Sequence, residues 1–422
     1  MKKFILIFCI ILLTSISFLF GLEEFTTEPI SLDEFIEEYL PDYTLQKRIP
    51  LEGIGRAYTV AKDSGNIVAI TEDDDHFNVY YFDIEGNEIW KKEIHEVDFN
   101  GNLYKVKKMT CNISDNGETI CLYINPLINT GKATGYYSVN NTILSQDGSL
   151  LFTEILNAMR LIPSPDGKYL TKSVGAVGGP IGTQPEFYAA NGTLITLTGF
   201  TSHDVKSVHL AFISNDHIIA YVLTDSNHKL TRSLQLFRFE NNTLTPLWEY
   251  DLGRQNLSGD YLNEIVKAVD DKIAFGGKSS GSKLSVFDND GNLLYLDDAV
   301  CRSFDFINND ELILQTNTAK GKYSKLINFE TKETRKEDIV FKLEERYEDF
   351  RKVFELDGLL LFSANIDPLK YNILIIKKDD WKDSQYIFSY DVDFIDENSI
   401  KYLIFEKYNE NPELIIMRGG VR

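Results

Sequence analysis

The residues of this 422-residue chain that could do chemistry are few, and most of them sit in short polar turns. Gly277-Lys-Ser-Ser-Gly281 spells the Gly-x-Ser-x-Gly of a serine nucleophile elbow. That motif works where a strand passes through a sharp turn into a helix, lifting the hydroxyl clear of the sheet. Here it joins Lys272–Phe275 to Lys283–Phe287, which read as two strands of one sheet, so a loop is expected and no catalytic residue is assigned. Asp73-Asp-Asp-His76 gathers three carboxylates and an imidazole, and Asp288-Asn-Asp-Gly-Asn292 resembles part of a calcium loop. The first is too clustered to wrap one ion alone, and the second lacks a downstream bidentate Glu. Both read as solvated turns. The six histidines form no His-x-x-x-His pair and meet no Cys-x-x-Cys, so neither a metal nor a cofactor is expected.

Of the four cysteines, Cys9 lies in an N-terminal apolar run and Cys301 reads as a small core residue. Cys111 and Cys121 flank Asp115-Asn-Gly117 symmetrically. If that turn is a three-residue loop, Ser114 faces Glu118 and Cys111 faces Cys121. The pair is then either a disulfide or two buried thiols. An oxidising compartment would permit the bond.

Met1-Lys-Lys is followed by an uncharged stretch, Phe4 to Leu22. A basic start and an apolar run read as a signal peptide or an uncleaved membrane anchor. Both place the body outside the cytoplasm, secreted or held at the cell envelope. With 43 Lys and Arg against 64 Asp and Glu, the net charge is −21 at pH 7. A surface this acidic repels phosphate backbones, so no nucleic-acid partner is expected. Membrane contact is expected only through residues 1–22. Sequons at Asn112, Asn140, Asn191, Asn241 and Asn256 acquire meaning only if exported proteins are glycosylated at the source.

Three regions follow from the pattern: residues 1–22, a linker over 23–41, and a body over 42–422. In the linker, Ser31-Leu-Asp-Glu34 fits a capping box. Leu32, Phe35, Ile36, Tyr39 and Leu40 then make one apolar stripe at helical spacing, and Pro41 stops it. A short amphipathic helix is expected there, docked on the body.

In the body, apolar alternation of period two is broken again and again by turns built on Gly, Asp or Asn. The clearest stretch is Asn78-Val-Tyr-Tyr-Phe-Asp-Ile-Glu-Gly-Asn-Glu-Ile-Trp-Lys91. Units of four strands begin near residues 57, 106, 159, 207, 264, 302 and 349, and a last unit, 392–419, has room for only three. Repeats of about 40–50 residues with four strands each predict a β-propeller. Eight blades are expected, with seven as the alternative if unit five or six is poorly formed. Residues 42–49 read as a strand without a blade, and supplying the missing strand of the last unit would close the ring and cover its edge.

Val79-Tyr-Tyr-Phe-Asp-Ile-Glu-Gly-Asn-Glu-Ile-Trp90 resembles the blade signature of the pyrroloquinoline-quinone-like propellers, and Ser164-Pro-Asp-Gly-Lys-Tyr-Leu170 resembles the hairpin of WD-repeat-like propellers. The resemblance covers residues 42–419 and implies a fold rather than an activity. Quinone dehydrogenases of that kind carry adjacent cysteines, and this chain has none. Their docking tryptophans survive only at Trp90 and Trp248, with an offset Trp381.

In such a ring the loops between second and third strands share one face with the blade-to-blade connections. Here they are 125–134, 174–185, 224–232, 277–283 and 317–322, and several are basic: Lys132, Lys229, Arg232, Lys278, Lys283, Lys320 and Lys322. Loops carry function more often than scaffolds do. The reading is a non-enzymatic exported module that binds a protein or glycan partner through this face. The alternative is an extracellular hydrolase or lyase acting on a glycan or peptide at the central channel.

Overall fold

Antiparallel strands make up almost all the regular structure in the computed structural model, which describes residues 31–39, 42–99, 101–126, 138–157, 159–174, 186–198, 205–226, 229–254, 264–269, 271–277, 283–318, 321–331, 333–337, 350–356, 359–367, 370–377, 384–388, 390–396, 401–406 and 410–419. The strands form seven sheets, one of them seven-stranded. In that sheet Leu293–Phe306 is the outer strand of one blade and the inner strand of the next, with breaks in register along it. Divided there, the sheets are eight blades, and the molecule is an all-β propeller. Blades 1 to 4 span 54–94, 102–157, 159–196 and 205–254. Blades 5 and 6 share the stretch 264–337, blade 7 spans 350–388, and blade 8 takes its inner three strands from 390–419.

Blade 1 shows why the blades need one another. Its middle strands, Ile67–Glu72 and Phe77–Phe82, are buried along nearly their whole length on both faces. Alternate side chains therefore leave for different interfaces. Val68, Ile70, Val79 and Tyr81 pack with Met109, Ile120 and Leu122 of blade 2. Ile67, Ala69, Tyr80 and Phe82 pack with Phe405, Leu414 and Ile416 of blade 8. Blade 4 divides the same way, sending Ala220 and Val222 toward Phe187 of blade 3 and Ile219 and Tyr221 toward Phe275 of blade 5. No sheet of this size could cover both faces alone.

The ring closes as the sequence requires. Tyr43–Pro50 pairs antiparallel with Glu413–Gly419, bringing Tyr43 opposite Gly419 and Ile49 opposite Leu414. Helix α1, Leu32–Tyr39, precedes this strand and carries both halves of its capping box. The Ser31 amide donates to Glu34 Oε2 at 2.7 Å, and the Glu34 amide donates to Ser31 Oγ at 3.2 Å. Leu32 and Phe35 are buried, and Arg48 of the closing strand reaches both Asp33 of the helix, at 2.9 Å, and Glu413, at 3.0 Å.

Adjacent blades are also joined by a repeated contact of an outer strand with the third-to-fourth turn of the next blade. The Trp90 indole donates to the Gln146 carbonyl at 2.9 Å, and Trp248 donates to that of Asn289 at 3.2 Å. At two other seams the chain keeps the contact without tryptophan. Phe152 lies against Gly192, and Lys47 of the closing strand donates to the Gly86 carbonyl at 2.8 Å.

Candidate functional site

Each blade has two ends. One carries the first-to-second and third-to-fourth turns; the other carries the second-to-third turns and the connections between blades. At this second end, blade 1 brings together residues that are far apart in sequence. The turn after Glu72 is closed by the Asp73 amide donating to the His76 carbonyl at 2.8 Å. His76 immediately precedes Phe77–Phe82, and His95 immediately follows Glu88–Ile94. Because Phe77 pairs with Ile94, the two histidines face each other just beyond the ladder. A bulge sets that register: Phe82 pairs with Glu88 but Tyr81 with Trp90, leaving Ile89 as the extra residue. Without it, every residue from Trp90 onward would turn to the other face.

The imidazole centroids are 4.9 Å apart with the rings 33° from parallel. Asp75 Oδ1 is 2.9 Å from His76 Nδ1, and its Oδ2 is 3.9 Å from His95 Nδ1. Glu93 Oε2 is 3.7 Å from His95 Nε2. Asp75, His76 and His95 each offer a ligand atom, all within 4.8 Å of one another. The hydrogen bond that His76 donates to Asp75, helped by the negative charge of Glu93 and Asp73, raises the His76 pKa above its usual value against the effect of burial. The same bond lowers that of Asp75. Two residues inward along the strand, Asn78 is fully buried opposite Glu93, and neither atom of its amide has a hydrogen-bond partner. From the sequence, His76 had only acidic neighbours. The signal for His95 lay in hairpin arithmetic around Glu85-Gly-Asn87, which comes out one residue wrong unless the bulge is known.

The basic residues divide. Lys229, Lys283 and Lys322 sit at or next to the start of the third strand in blades 4, 5 and 6, which puts them at this same end on three consecutive blades. Lys283 is exposed. Arg232 lies farther along its strand, half-buried, with Nη2 directed at the Leu252 carbonyl at 3.4 Å, so it serves its own blade. Lys132, Lys278 and Lys320 lie outside the described residues.

The other singled-out residues are structural. Ser114 pairs with Thr119 rather than with Glu118, so the turn holds four residues. That shift places Cys111 opposite Leu122 and Cys121 opposite Asn112, on opposite faces of the blade, which corrects the expected pairing of Cys111 with Cys121; of the two alternatives the disulfide is excluded and the thiols remain. Burial pushes the Cys121 thiol well above its usual range. Asp288 spends its carboxylate on its own turn, accepting from the Asp290 and Asn292 amides at 3.0 and 2.8 Å, and Asp83 does the same for Glu85 and Asn87. The sequence Gly277–Gly281 joins neighbouring strands of one blade, and 278–282 lie outside the described residues. Among the sequons, Asn140 is buried and donates to the Asp98 carbonyl, whereas Asn191 and Asn241 are exposed; Asn256 is outside the described residues.

No known protein family matches this sequence, and no curated protein matches it. Among solved structures 405 chains match. They include the WD40 domain of SCAP from fission yeast, at 10% identity and TM-score 0.44, with 90% of this chain and 98% of that one covered. Another is dipeptidyl peptidase 4 of Porphyromonas gingivalis, at 11% identity and TM-score 0.46, with 90% of this chain and 58% of that one covered. A third, from Listeria monocytogenes EGD-e, has 12% identity and TM-score 0.42, with 80% and 94% covered. At these identities the likeness concerns the fold alone.

Proposed function

We propose that this chain is an exported, non-enzymatic propeller that holds a partner through the end bearing its second-to-third loops. In this reading residues 1–22 direct export or anchor the chain at the envelope, 23–41 link, and 42–422 bind. The partner carries clustered negative charge, as an acidic protein segment or an anionic glycan does. The observation that carries the reading is the placement of Lys229, Lys283 and Lys322 at one end of three consecutive blades, in a chain whose net charge is −21. The connections at that end support it too. Eleven residues separate Thr119–Pro126 from Ser138–Ser145, and twelve separate Thr334–Glu337 from Phe350–Leu356. Such loops can vary without disturbing a scaffold that closes on itself.

The test is capture of partners from the native envelope with the wild-type chain and with a Lys229→Glu, Lys283→Glu, Lys322→Glu variant. Capture by the wild type should fall as salt rises, because exposed charges are screened within about 8 Å at 0.15 M. The variant should lose at least nine-tenths of it. Full capture by a folded variant would refute the reading.

A further inference from the structure

We propose that Asp75, His76 and His95 form a binding site for one divalent ion of the zinc class. Two imidazoles and one carboxylate suit Zn²⁺, Cu²⁺, Ni²⁺ or Co²⁺, whereas Ca²⁺ and Mg²⁺ seek oxygen ligands alone. Geometry comes next. Donors about 2.0–2.2 Å from a tetrahedral zinc lie roughly 3.3 Å from one another. Asp75 Oδ1 is 2.9 Å from His76 Nδ1, a hydrogen-bond distance somewhat shorter than that separation, and the other carboxylate oxygen, Oδ2, is 3.9 Å from His95 Nδ1, somewhat longer. All three ligand atoms lie within 4.8 Å of one another, and the exposed His95 and Asp75 side chains have room to turn toward a common ion.

The backbone holds the site in advance. His76 is fixed by a hydrogen-bonded turn on one side and by the ladder on the other, and the bulge at Ile89 aims His95 at it. Glu93, 3.7 Å from His95 Nε2, lies beyond hydrogen-bond distance but on the side of the ring opposite Asp75, where a small shift would let it orient a ligating histidine through its other ring nitrogen. The buried Asn78 amide, unpartnered and opposite Glu93, adds a polar group in the same row that no protein atom satisfies. The two rings lie 4.9 Å apart and tilted by 33°, with the acidic groups of Asp73, Asp75 and Glu93 around them. Bound, the ion would tie the second-to-third turn of blade 1 to the chain leaving for blade 2.

The ion alone, Zn²⁺, is titrated calorimetrically into the untagged, chelator-treated full chain. One saturable ion per chain is expected, and millimolar Ca²⁺ should not displace it. His76→Ala and His95→Ala should each weaken binding by at least tenfold, the effect typical of removing even an outer partner of a metal site. His217→Ala should change nothing: His217 pairs with Asp216 at 2.9 Å in the first turn of blade 4 but has no second imidazole beside it among the described residues. If the blade 1 variants do not fold, zinc-edge absorption of the wild-type complex gives the answer, two imidazoles supporting the site and an all-oxygen shell overturning it. Absence of saturable binding, or binding unaffected by both substitutions, also overturns it.

Discussion

The two ends of this propeller solve different problems with the same residues. At the turn end, glycine, aspartate and asparagine build a lattice between blades. The amides of Asp63 and Ser64 donate to the Asp115 carbonyl, the Asn116 amide donates to that of Pro165, and Asn116 Nδ2 to that of Asp166. Buried Tyr81 donates to the Gly117 carbonyl at 2.9 Å and accepts from Asn66 at 2.7 Å. At the loop end, the same kinds of residue face outward around Asp73–His76. The polar turns which make the repeat recognisable thus mainly hold the ring together. Residues able to act on a partner or an ion must be sought where the repeat is broken.

Two glycines test this directly, because both have φ of +79° and differ only in surroundings. A Cβ on Gly117, at the turn end, would stand 2.5 Å from Ser64 Oγ and 2.8 Å from Asn66 Nδ2. Gly117→Ala should therefore add to the strain of a left-handed residue the loss of the Asn66–Tyr81 network, about 3 kcal/mol together. Chemical denaturation should show the midpoint falling with the slope unchanged. A loss below about 1 kcal/mol would mean that the lattice is not what holds the blades in register.

Acid separates the ends more gently. Asp147, at the turn end, accepts hydrogen bonds from Ser145 and the Ser149 amide, which hold its pKa at about 2 against a usual 3.8. A depressed carboxylate contributes stability that is fully present above its unfolded pKa and is lost as pH falls from about 4 toward 2. The His76 pKa is raised, so its contribution has the opposite sign: present below 6.5, it is lost as pH rises through the folded value. Asp147→Asn should accordingly lower the melting temperature at pH 7, and its curve should converge on the wild type near pH 2. Parallel curves would show that those hydrogen bonds do not favour the ionised form.

Much of the ring was legible because each unit repeats a local rule. Turn chemistry marks hairpins, and eight hairpin pairs leave one strand short, which the stretch before the first blade supplies. What escaped were one-residue features. The four-residue turn at Asp115–Glu118 moved Cys111 off Cys121, and the bulge at Ile89 moved His95 onto the face of His76. A period-two pattern reports which residues alternate, but a single inserted residue reverses the face without changing composition. The two tryptophans singled out in the sequence, Trp90 and Trp248, do make the seam contact, whereas Phe152 and Lys47, which occupy the same place at other seams, carry no recognisable spacing.

Gly101 gives the smallest effect and completes the comparison. It lies between Glu96–Phe99 and Asn102–Ile113, in the connection from blade 1 to blade 2 at the loop end. A Cβ there would meet nothing within 4 Å. Gly101→Ala keeps the backbone strain but removes the collision, so its cost should be about 1 kcal/mol, partly offset by the lower entropy of the unfolded chain. Subtracting this value from that for Gly117→Ala leaves the energy of the turn-end lattice alone, since the dihedral is the same in both. Equal losses at the two glycines would mean that the strain of a left-handed residue, common to both ends, sets the stability.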